Sequence, residues 1–245
     1  MCGICGIWIG RHASTGIRAR IDLQRDIKRM NQSLAHRGPD AQGAFVAENI
    51  ALGSSRLAIQ DPSAQANQPF ILQQNGNNQV LVYNGEIYNT PELRAELVKN
   101  GINPGGNSDT EVLAYLLQQR PDAALQALRG MYAFAHWDSR SQALTLARDP
   151  MGEKPLVYTV YNGVFVFASE LRALRVLPWL PMHIDPVGIH LALHFVMPPA
   201  PYTAYKNIQR LPPAHSVIIR HDLAIHPRSY WQPQPGSLLT DPRDC

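Results

Sequence analysis

No apolar stretch in the 245-residue sequence approaches the ~18 residues that a membrane-crossing helix needs. The N-terminus carries no basic segment followed by an apolar run, so no signal peptide is expected and a cytoplasmic location is the default. Only three cysteines occur, an odd number, and two of them lie three apart, which argues against a disulfide framework. Lys and Arg are scattered and the formal charge is only +3, so neither a nucleic-acid footprint nor a membrane-binding basic face is indicated. No G-x-G-x-x-G follows a strand pattern and no G-x-x-x-x-G-K-[ST] occurs, so no nucleotide site is expected. Internal repeats and low-complexity tracts are missing as well.

What is present reads as globular: 45% hydrophobic and 17% charged residues. A chain of this length can bury roughly 70–75% of its unfolded surface. Ile21, Ile27, Met30 and Leu34 recur at helical spacing. "TPELRAELVKNG" predicts a helix with Thr90 as N-cap, Pro91 at the first helical position and Gly101 as the stop. "SDTEVLAYLLQQ" opens on a capping box, Ser108 and Glu111. "LVYTVYNGVFVFASE" predicts two strands around Asn162-Gly163, the favoured type I′ hairpin turn. A helix over about 185–195 and a strand at "HSVIIR" follow. Runs of strands with separate helices imply an α+β protein, helices covering antiparallel sheets.

The chain opens "MCGICGIWIG", which reads as a buried strand at the place where chains are normally loosest. If Met1 is removed, Cys2 carries a thiol and a free α-amine on one residue. An α-amine with pKa near 7.7–8.0 is about 10–15% neutral at pH 7, whereas a lysine amine is under about 0.1% neutral. The terminus is thus the one unperturbed amine ready to take the proton of a thiol nucleophile. Attack on a carbonyl also needs donors for the oxyanion, and the side-chain amide of Asn84 beside the unobstructed N–H of Gly85 suits that; a simple turn at "YNG" is the competing reading. Arg56 can grip a carboxylate bidentately and Asp109 can accept from an ammonium, although either alone also reads as a surface charge.

"MCGICGI", "HRGPD", "SRLAI", "VYNGEIYN", "SDTEV", "RGMYAFAHWD", "ARDPMGEKPL" and "FASEL" occur in that order. Together they resemble the glutaminase domain of class II glutamine amidotransferases, on the branch of the glutamine-hydrolysing asparagine synthetases. The resemblance runs from residue 1 to about residue 231. It implies an N-terminal-nucleophile fold, a four-layer αββα sandwich of two antiparallel sheets. It implies Cys2 as nucleophile, Asn84 and Gly85 as the oxyanion hole, Arg56 for the glutamine α-carboxylate and Asp109 for its α-amino group. Ile59 and Glu86 match positions lining the glutamine pocket. It further implies L-glutamine as substrate and a synthetase domain that takes the ammonia, in cis or in trans, to amidate aspartate with ATP and Mg²⁺. No cofactor or metal is expected in this chain, and homodimerisation is left open.

The Pro-rich segment 232–245 reads as the start of a linker to that synthetase domain, whose S-G-G-x-D-S loop this sequence lacks. A catalytically idle or regulatory module is the competing function. "CGIC" as a redox or zinc pair is disfavoured, because it sits in an apolar strand without a second ligand pair. His190 and His194 lack the Glu of H-E-x-x-H. Cys5 is expected to be a buried, inert thiol, and His36 to orient the loop beside Cys2.

Overall fold

A computed structural model describes residues 1–74 and 76–234. The expectation of a linker beyond residue 234, like the third cysteine Cys245, falls outside the described residues. Two six-stranded antiparallel sheets face each other. The first runs, in spatial order, β10 (Gln209–Arg210), β8 (Val157–Tyr161), β9 (Val164–Ala168), β1 (Gly3–Ile9), β3 (Ile50–Arg56) and β2 (Ala41–Val46). The second runs β12 (Arg228–Ser229), β11 (His215–Ile219), β7 (Ala143–Arg148), β6 (Gly130–Asp138), β5 (Asn77–Ile87) and β4 (Phe70–Gln74). Helices α1 (Thr15–Arg18), α2 (Leu23–Ser33) and α6 (Leu171–Arg175) belong to the outer face of the first sheet. Helices α3 (Thr90–Lys99), α4 (Asp109–Gln119) and α5 (Pro121–Ala127) belong to that of the second. Helix α7 (Pro186–Phe195) follows α6 in the chain.

Three apolar layers hold this stack together. Trp8, Val80, Trp137, Leu146, Phe165 and Phe167 pack between the sheets. Ile7, Ile27, Met30, Val166, Leu174 and Trp179 join the first sheet to its helices. Tyr83, Leu93, Leu97, Val112, Leu116 and Phe134 join the second sheet to its own. The four-layer αββα order is therefore as the family resemblance implied.

Strand β1 explains the apolar opening of the sequence. Its even residues Ile4 and Trp8 face the other sheet while Cys5, Ile7 and Ile9 face α2, so both faces are buried and no polar alternation is possible. Gly6 shares the inner face, where a Cβ would lie 2.3 Å from Phe167 Cε1 and 2.8 Å from Leu52 Cδ2. The glycine leaves room for that ring. Cys5 is fully buried, its thiol donating to Asn31 Oδ1 at 3.3 Å, and burial pushes its ionisation far up. It is inert, as expected.

Local signals held with small shifts. Asn162 and Gly163 both have positive φ, 47° and 77°, the I′ geometry expected between β8 and β9. Asp22 caps α2 by accepting from Arg25 N–H. The N-cap of α3 is Asn89, one residue before the expected Thr90; Asn89 makes no side-chain cap bond, and Thr90 Oγ1 donates back to Ile87 O at 2.6 Å. The reason is that Asn89 is drawn to the start of β6, donating to Ala127 O and accepting from Arg129 N–H. Only half of the expected capping box forms: Ser108 Oγ accepts from Glu111 N–H, but the Glu111 carboxylate accepts from Gly105 and Gly106 N–H instead.

One buried group gives the fold a predictable acid sensitivity. His136 on β6 is buried with Nε2 unpartnered, and burial lowers its pKa to about 4. The unfolded chain binds this proton below about pH 6.5 while the native chain refuses it until about pH 4, so stability is lost as pH falls between those values. The shift amounts to roughly 3 kcal/mol. Urea unfolding at pH 7, 5.5 and 4.5 should show a steeper acid loss in the natural protein than in a His136→Gln variant. Equal slopes would disprove the assignment.

Candidate active site

The start of β1, the end of β3, the C-terminal half of β5 and the start of α4 converge on one cavity of about 80 Å³. Cys2, Arg56, Ile59, Asn84, Gly85, Glu86 and Asp109 all line it. Residues far apart in sequence thus meet in one place, and none of the seven lies elsewhere.

Cys2 immediately precedes β1 and is half-buried, its Sγ 3.7 Å from the Leu57 carbonyl. Burial raises its pKa, against the lowering effects of the Leu57 contact, the chain's N-terminal ammonium and Arg56. Burial thus favours the neutral thiol over the thiolate. Met1 also lines the cavity.

Asn84 is 1% exposed, and neither its Oδ1 nor its Nδ2 has a partner. A buried amide with no hydrogen bond costs about 1–3 kcal/mol, and this one has capacity for a ligand in the cavity it lines. The direction of the neighbouring Gly85 N–H follows from strand alternation. Tyr83 N–H donates to Gln68 Oε1 at 2.7 Å and Ile87 N–H to Asp109 Oδ2 at 3.1 Å, both off the strand ladder. The period of two turns the Gly85 N–H to that side too, past the end of β4, which pairs with β5 only as far as Leu81. A Cβ on Gly85 would sit 2.4 Å from the Met131 carbonyl, so no larger residue fits there.

Arg56 is 6% exposed and held by the loop that follows it. Nη1 donates to Ser63 O at 3.1 Å and Asn67 Oδ1 at 2.9 Å, and Nη2 donates to Asp61 O. Guanidinium has five N–H donors, and three are used. Among the described residues no hydrogen bond is made by Nε, which leaves donor capacity for a carboxylate. Asp109 Oδ2 accepts from Tyr83 Oη at 2.7 Å and from Ile87 N–H at 3.1 Å. Burial raises its pKa, opposed by those donors. Glu86 accepts from Gln60 Nε2 and is also raised by burial.

Two further residues, Arg37 in "HRGPD" and Lys154 in "ARDPMGEKPL", lie in quoted motifs but are given no role by the sequence. Arg37 Nε donates to the Cys2 carbonyl at 2.9 Å, whereas His36, singled out from the sequence, contacts Glu170 and Arg172 and not Cys2. Lys154, 5% exposed, lines the cavity and acts on Glu86. Among the described residues no group of three metal-ligating side chains occurs, and no helix is long and apolar enough to cross a membrane.

Comparison with known proteins places this geometry. The glutamine amidotransferase domain family matches residues 1–231. Asparagine synthetase [glutamine-hydrolyzing] 1 of Bacillus subtilis is 36% identical over 252 residues, covering 100% of this chain and 39% of the relative. Asparagine synthetase B of Escherichia coli is 37% identical over 176 residues, 71% of this chain and 30% of its own length. The amidase chyE of Penicillium rubens is 32% identical over 253 residues, 99% of this chain and 36% of the amidase. The chain thus spans well under half the length of these relatives. Among solved structures, the B. subtilis glutamine phosphoribosylpyrophosphate amidotransferase complexed with ADP and GMP superposes with a TM-score of 0.70 at 22% identity, covering 95% of this chain and 50% of that one.

Proposed function

The chain belongs to the glutamine amidotransferase family, and from that premise we propose that it hydrolyses the side-chain amide of L-glutamine with Cys2 as nucleophile once Met1 has been removed. The observation that carries this reading is the buried, unpartnered amide of Asn84 in the same cavity as the Cys2 thiol. The Arg56 guanidinium takes the substrate's α-carboxylate and the Asp109 carboxylate its α-ammonium, fixing the zwitterionic end. Ile59 and Glu86 bound the side-chain path.

The reaction then follows from the groups present. The Cys2 α-amine accepts the thiol proton as Sγ attacks the amide carbon, and the oxyanion is received by Asn84 Nδ2 and Gly85 N–H. The α-ammonium returns the proton to the leaving nitrogen, the C–N bond breaks and ammonia departs. A γ-glutamyl thioester remains. Water, deprotonated by the same amine, adds to the thioester; the C–S bond breaks and glutamate leaves. The ammonia serves an ATP- and Mg²⁺-dependent synthetase domain, reached in cis or in trans beyond the 232–245 linker, with aspartate as acceptor.

Glutamate and ammonia release from L-glutamine, in equal amounts, is the test. It is run on chain whose intact mass confirms loss of Met1. Equal release by this chain alone supports a glutaminase that works without its synthetase partner. Absence of both products from fully processed, folded chain overturns the reading.

A further inference from the structure

The start of β1 is held at three points by one corner of the fold. Ser169 exchanges two hydrogen bonds with Ile4: its N–H donates to Ile4 O at 2.8 Å, and its Oγ accepts from Ile4 N–H at 3.0 Å. The third point belongs to the next residue. Glu170 Oε1 accepts from Arg37 Nη1 at 2.7 Å, and Arg37 Nε in turn donates to the Cys2 carbonyl at 2.9 Å.

Arg37 is 9% exposed, and its Nη2 is buried without a partner. A guanidinium so desolvated needs its counter-charge, and Glu170 forms its ion pair among the described residues. Glu170 stands at the N-cap position of α6 yet makes no cap bond. Its carboxylate turns to Arg37 and to His36, whose Nε2 lies 3.1 Å away. Arg172 Nη1 lies 3.3 Å from His36 Nδ1. Since arginine only donates, Nδ1 accepts and the ring proton sits on Nε2, aimed at Glu170. Two donors thus converge on one carboxylate oxygen and fix it.

We propose that Glu170 is a positioning residue for the nucleophile: by locking Arg37 onto the Cys2 carbonyl it sets the rotation of Cys2 and so the placement of its thiol and α-amine against Asn84. This rests on the glutaminase reading above. A terminal residue is otherwise free to rotate about its backbone bonds, and a displacement of about 1 Å at a reacting group can cost on the order of 100-fold in rate.

The test compares Glu170→Ala and Glu170→Gln with the natural protein, all shown to have lost Met1. The readouts are unfolding midpoint, kcat and KM for L-glutamine, and the rate of Cys2 alkylation by iodoacetamide. Glu170→Ala is expected to lower kcat about 10- to 100-fold with KM within about twofold, because Arg56 and Asp109 are untouched. Glu170→Gln, whose amide oxygen still accepts, should fall between and carries the test if the alanine variant does not fold. Arg175→Gln, an exposed change on α6 outside this chain of contacts, should leave kcat unchanged. Folded Glu170→Ala with kcat within about threefold of the natural protein overturns the proposal, as does the same result in Glu170→Gln where the alanine variant does not fold, or an equal loss in Arg175→Gln. If the natural protein hydrolyses no glutamine, the glutaminase reading fails separately, and alkylation decides: at least about fivefold slower in Glu170→Ala supports positioning, an unchanged rate refutes it.

Discussion

Replacing Cys2 with serine is expected to abolish glutamate release, by on the order of 10⁴-fold or more, while leaving the fold and glutamine binding intact. The oxygen is smaller than sulfur, and the contact it replaces is a long one to the Leu57 carbonyl at 3.7 Å, so the stability cost should stay within about 0.5 kcal/mol. The chemistry is another matter. A hydroxyl is far harder to ionise than a thiol, and an α-amine of pKa near 7.7–8.0 is too weak a base to compensate. No other thiol among the described residues can substitute. Cys5, three residues on, points at Asn31 from the opposite face of β1 and is fully buried. Calorimetric affinity for L-glutamine should change by less than about threefold, because the α-carboxylate and α-ammonium are held by Arg56 and Asp109. Residual turnover within about 100-fold of the natural protein would place the nucleophile elsewhere. Loss of binding together with turnover would instead point to a disordered N-terminus.

The parts of this site that the sequence reveals are those whose chemistry is carried by a residue type in a distinctive place. A thiol behind an initiator methionine, at the head of an apolar strand, is unusual enough to raise the question of its purpose. The Asn162-Gly163 hairpin is likewise fixed by local backbone chemistry and formed as read, whereas the Asp22 cap, equally local, went unread. The chemistry Arg56 could offer was legible, but its setting was not: only the structure shows it in the cavity with three donors taken by Ser63, Asn67 and Asp61. The missed residues act through long-range contacts. Arg37 and Glu170 are 133 positions apart, and each alone looks like an ordinary surface charge. Their meaning arises when β1 and β9 pair and bring the Ser169–Glu170 corner beside the chain terminus. The shifted cap of α3 has the same origin, a tertiary demand on the Asn89 side chain that overrides local preference.

Asn84→Ala should separate catalysis from stability in a way that a structural asparagine would not. Removing one oxyanion donor costs about 10²–10³ in kcat where that donor is the charge stabiliser, with KM little changed. For most buried polar side chains, truncation also destabilises, since a partner is stranded. Here there is no partner to strand: Asn84 Oδ1 and Nδ2 are both unpaired in a residue 1% exposed. Deleting the amide removes an unmet desolvation cost of about 1–3 kcal/mol and leaves a small cavity whose cost partly offsets the gain. Urea unfolding should therefore show stability unchanged or raised by about 1 kcal/mol while turnover collapses. A drop in stability beyond about 1 kcal/mol would mean that the amide is bonded in the native protein and is part of the framework. The Gly85 N–H then remains as the single donor. Turnover lost with stability kept would mark an amide whose donor serves charge that appears only during the reaction.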